Sequence, residues 1–118
     1  MIWWSFDPGK NSGLGIWRDE ELLRGQLLND STRGTARDGH DRCVAEARDL
    51  LRVYPPELLV IELPQVYGQR RTDPNDLIHL AVLVGRIEEI VACEVVEVLP
   101  AVWKGQVPKG VMARRIER

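Results

Sequence analysis

Two acidic residues stand out because each closes an apolar run. Asp7 follows Ile2-Trp3-Trp4-Ser5-Phe6 and opens Asp7-Pro8-Gly9-Lys10-Asn11-Ser12-Gly13, the composition of a tight turn after a buried strand. Glu62 ends Leu58-Leu59-Val60-Ile61, with Pro64 just beyond. A continuous apolar run of that kind suits a central parallel strand covered on both faces. Were the two strands parallel neighbours, their carboxylates would meet at the carboxyl edge of the sheet, where open α/β folds place ligands. Two such charges about 4 Å apart repel by about 4 kcal/mol at an effective dielectric near 20, and a divalent cation neutralises them. Carboxylate oxygens are hard donors and select Mg²⁺ or Mn²⁺ rather than zinc. Plainer readings stay open: Asp before Pro-Gly also caps a turn, and each acid could be solvated at its strand end.

The elements that must position these acids follow in order. After the first strand, Leu14-Gly15-Ile16-Trp17 turns back as a second, and Glu21 to Leu28 reads as a third. Asn29 to Gly39 is polar and Gly-bearing, hence a loop. From about His40, the residues Cys43, Val44, Ala47, Leu50, Leu51 and Tyr54 recur at helical spacing until Pro55-Pro56, which stops the helix. The strand into Glu62 comes next, then a polar loop to Asp73. Asp73-Pro74 is a strong helix start, and the pattern runs to about Ala92 with apolar residues almost all round. A helix that apolar is buried on more than one side, either centrally or against the sheet and a second subunit. Glu94 to Leu99 alternates as a strand. Ala101 to Lys104 is a short helical piece, and Pro108 opens a last helix. Three antiparallel strands followed by right-handed crossovers give a mixed sheet, with the Glu62 strand beside the Asp7 strand. That is a ribonuclease H-like α/β arrangement with flanking helices.

The 118 residues fit one domain, 1–118. Cys43 and Cys93 are far apart and lack metal-ligand spacing, so they read as small buried hydrophobes in a reducing cytosol. Met1 leads straight into the first strand, so no signal peptide is expected. The stretch Leu77 to Val91 carries His79, Arg86, Glu88 and Glu89 and is no membrane span. With 16 Lys and Arg against 18 Asp and Glu, the net charge argues mildly against nucleic acid, yet its distribution argues the other way. Lys104, Lys109, Arg114, Arg115 and Arg118 face only Glu117 in the last twenty or so residues, and Arg70 and Arg71 lie just past Glu62. A phosphate backbone responds to such a patch rather than to the total. A charge run also reads as a solvated face. Lys10, three residues after Asp7, could reach a phosphate at the same edge.

With these residues in view, the chain resembles RuvC-type Holliday junction resolvases, particularly the short versions carried by bacteriophages. The similar segments are Ser5-Phe6-Asp7-Pro8-Gly9 with Gly13 and Gly15; Val60-Ile61-Glu62 with Gln65-Val66-Tyr67; Asp76 to Gly85; and Val98-Leu99-Pro100 to Lys104-Gly105, then Lys109 and Val111. They span nearly the whole chain, although Leu63-Pro64 lengthens the usual spacing after the glutamate. The resemblance implies a two-metal nuclease, with Mg²⁺ (or Mn²⁺ in its place) held by Asp7 and Glu62. It makes Tyr67 the aromatic that stacks on bases at a junction crossover, and Lys104 and Lys109 contacts near the scissile phosphate. Residue-level alternatives are a loop-anchoring ring and solvated lysines. A four-way junction has two symmetric scissile phosphates, so a homodimer is expected, through Leu77, Leu80, Ala81 and Val84. The implied setting is the cytoplasm of a bacterial or phage-infected cell, with no membrane and no small-molecule cofactor.

The family closes its site with further acids, or an acid and a His, on a C-terminal helix. No residue after Lys109 has that pattern, so the expectation is a domain whose last helix is cut short. Two other activities remain open: a non-catalytic junction-binding module, and a YqgF-type ribonuclease H-like nuclease acting on RNA. An actin-like sugar kinase shares the strand-turn acid but needs two domains, more than this chain supplies.

Overall fold

The structure is a computed structural model that describes residues 1–9, 12–28, 35–63 and 74–99. Seven elements follow in order: β1 (Ile2–Asp7), β2 (Ser12–Arg18), β3 (Glu21–Leu28), α1 (Ala36–Val53), β4 (Leu58–Glu62), α2 (Pro74–Val91) and β5 (Glu94–Val98). They form one five-stranded sheet in the order β3-β2-β1-β4-β5. β1, β2 and β3 pair antiparallel, whereas β4 pairs parallel with both β1 and β5. This is the mixed sheet expected from the sequence, with the Glu62 strand beside the Asp7 strand. The expected helical pieces after Pro100 lie outside the described residues.

Alternation along the strands sorts their side chains onto two faces. Trp4, Phe6, Leu14, Ile16, Leu59 and Ile61 point to the helix side and pack with Cys43, Val44, Ala47 and Leu50 of α1 and Leu83, Val84, Ile87 and Val91 of α2. Trp3, Leu58 and Val60 form a second buried cluster with Trp17, Val96 and Val98 on the other face. β4 is buried at every position, which is why its sequence shows no alternation. Cys43 lies in the main core, and burial pushes its thiol up to about 12. It is a packing residue.

α1 begins four residues earlier than the periodicity indicated. Thr35 is its N-cap: the Asp38 amide donates to Thr35 Oγ1 at 3.2 Å, and the Thr35 amide donates to Asp38 Oδ2 at 2.9 Å. This capping box overrides the helix-weakening glycine at position 39. α2 starts at Pro74 as expected, but it is not centrally buried. Ile78 is 60% exposed and Val82 51%.

Candidate functional site

The site forms where β1 and β4 end together. Their register pairs Trp3 with Leu58, Ser5 with Val60 and Phe6 with Ile61, and one further step puts Asp7 beside Glu62. Both acids are in phase with the Trp3 and Leu58 cluster, so they share the face opposite the helices. Adjacent strands lie about 4.8 Å apart, so the two acids close neighbouring strands side by side. Their surroundings differ. Glu62 is only 6% exposed, whereas Asp7 is exposed. The amide of Leu63 donates to Val98 O at 2.8 Å, extending the β4–β5 ladder past Glu62 and fixing its backbone.

The turn after Asp7 is stapled by Ser12. The Gly9 amide donates to Ser12 Oγ at 3.2 Å, and the Ser12 hydroxyl donates back to Gly9 O at 3.3 Å. Behind Asp7 on the same face, Trp17 Nε1 donates to Ser5 Oγ at 3.0 Å. The Trp17 indole stacks on Trp3, with centroids 5.0 Å apart and planes within 7°. Gly15 lies under this arrangement: a Cβ there would come within 2.5 Å of Ser5 Oγ and 2.6 Å of Trp17 Nε1. An open groove of about 450 Å³ runs from Asp7 over Gly13, Gly15 and Gly25 towards Leu27. The Ser5–Trp17–Gly15 unit and the groove were not read from the sequence. The only signal for them was three glycines at strand positions, which mark close approach.

Asp7 and Glu62 supply hard oxygen donors of the kind Mg²⁺ accepts, since that ion is commonly held by one or two carboxylates with water and substrate phosphates completing its shell. The donor set therefore fits a magnesium ion. Among the described residues, no group of three or more His, Cys, Asp or Glu could hold a metal. Lys10, Tyr67, Arg70, Arg71, Lys104 and Lys109 lie outside the described residues.

The residues expected to face a second subunit divide. Ala81 is exposed, and Leu77 and Leu80 are half-buried. Val84 is a correction: it is 5% exposed and packs in the chain's own core, because its position on α2 turns it to the sheet. The outward apolar residues are instead Ile78 and Val82, four apart on one face.

No family model and no curated protein matches the sequence. Solved structures similar in fold include two of RuvC. One is T. thermophilus RuvC in complex with a Holliday junction substrate, with a TM-score of 0.73 and 20% identity over 98% of this chain and 76% of that one. The other is a Thermus thermophilus RuvC structure, with a TM-score of 0.70 and 20% identity over 98% and 80% of the two chains. The sheet order and strand directions described above are thus those of the ribonuclease H-like fold, shared with RuvC.

Proposed function

We propose that the chain is a structure-selective DNA endonuclease that resolves four-way junctions, with Asp7 and Glu62 as its metal-binding carboxylates. The observation that carries this reading is the adjacency of those two acids on one face, at the carboxyl end of the central parallel pair. The fold shared with a RuvC solved on a Holliday junction supports the choice of substrate. Two Mg²⁺ ions, or Mn²⁺ in their place, would activate the attacking water and stabilise the departing 3′ oxygen when bound. Glu62 is buried and backed by the β4–β5 ladder, so its carboxylate is held in place. Asp7 is exposed at the edge and open to an approaching phosphate. Lys10, Arg70, Arg71, Lys104 and Lys109 are the proposed phosphate contacts. Tyr67 is the proposed base-stacking residue, a contact worth ~1–3 kcal/mol per base.

A homodimer would present one site to each of the two symmetric scissile phosphates. Its interface would lie on the outward side of α2, around Ile78, Ala81 and Val82. The reading places the protein with the short phage-type resolvases, in the cytoplasm of a bacterial or phage-infected cell.

The test is nicking of a labelled four-way junction with and without Mg²⁺, using the natural chain and Asp7→Asn. Cleavage should need the metal and vanish in the variant, while junction binding persists, since Asn keeps the shape and removes one charge. An Asp7→Asn protein that cut at the normal rate would falsify the assignment. Tight junction binding with no cutting by the natural chain would make it a non-catalytic binding module. Preference for RNA would point to the YqgF-type activity.

A further inference from the structure

A second cavity lies on the helix side of the sheet, away from Asp7 and Glu62. It is a cleft of about 440 Å³ between α1 and α2, lined by Arg37, His40, Asp41, His79, Val82 and Arg86. His40 sets its depth, being only 7% exposed. Its ring meets that of His79 edge-on, with centroids 6.3 Å apart.

The charges around the cleft say what chemistry it would accept. Asp41 is the one carboxylate in the lining, and Arg86 holds it at 2.8 Å. A cation would therefore find no available acid, and no metal-binding cluster occurs among the described residues. Arg37 remains as an excess positive charge, with two imidazoles and the other guanidinium N–H groups of Arg86 as donors. Burial, then the charges of Arg86 and His79, hold the His40 pKa below its ordinary value, with Asp41 opposing them. The field at the buried ring is positive on balance. Such a field, rich in donors and partly shielded by Val82, suits an oxyanion that arginine can grip by its planar fork.

We propose that this cleft binds a phosphate group, with Arg37, His79 and Arg86 around it and His40 donating from the floor. Two sources carry that chemistry: a backbone phosphate of DNA, and free phosphate or a small phosphomonoester. The site is separate from the carboxylate pair and does not rest on the nuclease reading, although Val82 at its rim also borders the dimer interface proposed above.

Imidazole ¹H–¹⁵N spectra of the full chain provide the test, recorded during separate titrations with inorganic phosphate, a four-way DNA junction and Zn²⁺. The His40 signals should move saturably with phosphate or DNA. Arg37 and His79 are both exposed, so the double variant Arg37→Ala, His79→Ala should stay folded and bind at least about tenfold more weakly, as expected for losing charge-assisted hydrogen bonds. Movement with DNA at concentrations where its molar equivalent of free phosphate does nothing assigns a backbone phosphate. Movement with phosphate but not DNA assigns a small-molecule anion. The same titrations on Asp7→Asn should be unchanged, so the nuclease reading and this one fail independently. No saturable movement with either anion, equal movement in the double variant, or a response to Zn²⁺ alone would overturn the proposal.

Discussion

Gly15 and Gly25 sit directly opposite each other on β2 and β3, yet replacing each with alanine should have opposite effects. Alanine in a strand is ordinarily favoured over glycine by about 0.5–1 kcal/mol, because glycine loses more backbone freedom on folding. At Gly25 nothing opposes that gain, since an added Cβ meets only Leu22 Cδ2 at 3.9 Å, an ordinary contact. At Gly15 the new methyl would overlap both Ser5 Oγ and Trp17 Nε1. It must break the 3.0 Å hydrogen bond between them, a loss of about 0.5–1.5 kcal/mol. It must also push the indole off Trp3, forfeiting a further 0.5–1.5 kcal/mol or so of stacking. Set against the backbone gain, Gly15→Ala should destabilise by about 1 kcal/mol at the middle of these ranges, while Gly25→Ala is neutral or stabilising. Urea denaturation followed by far-UV circular dichroism measures both. The near-UV signal of the stacked indoles should fall in Gly15→Ala alone. In a Trp17→Phe background, which lacks the indole nitrogen, the Gly15→Ala penalty should shrink, and the double-mutant cycle isolates that coupling. A Gly15→Ala protein as stable as the natural chain, or a Gly25→Ala protein damaged as much, would refute the steric argument.

Other expectations follow from single sites. Glu88 has its pKa raised to about 7 by burial first and then by the neighbouring Glu97 carboxylate. A raised folded-state pKa gives stability that is full below the ordinary value of 4.5 and is lost as pH rises through 7. Glu88→Gln should therefore raise stability by ~1 kcal/mol at pH 8, after allowing for solvent screening, and leave it unchanged near pH 4; equal effects at both pH values in denaturant melts would contradict this. Ala92, just past α2, has φ 50°, a left-handed conformation that costs a non-glycine residue about 1–2 kcal/mol. Ala92→Gly should stabilise by ~1 kcal/mol, read from the same melts, and a loss of stability would count against that backbone. Sedimentation at micromolar concentration should show a dimer that Ile78→Glu converts to monomer with its circular dichroism intact; a monomeric natural chain would remove the proposed interface.

Local chemistry carried much of this protein in its sequence. The strand ends at Asp7 and Glu62, the stop at Pro55-Pro56 and the start of α2 were all legible, because apolar runs, proline and turn residues act within a few positions. The start of α1 was missed because a capping box depends on the Thr35 and Asp38 side chains reaching back to each other's amides, which the polar stretch before Gly39 concealed. The exposed side of α2 was missed for a related reason. When nearly every position is apolar, composition cannot say which side meets the sheet, and only packing showed Val84 inside and Ile78 and Val82 outside.

What brought the two acids together was decided in three dimensions. Asp7 shows its phase through Trp3 and Ser5, but the β4 run Leu58 to Ile61 is apolar at every residue and has no alternation to reveal where Glu62 points. The β1–β4 register sets that, and a slip of one residue would turn Glu62 to the helix side. The same holds for His40 and His79, which meet between α1 and α2 although 39 positions separate them. The sequence by itself determined which strands end in a carboxylate, since that depends on neighbours along the chain. Only the tertiary structure decided which side chains share a face, because pairing between distant strands and packing between distant helices set that choice.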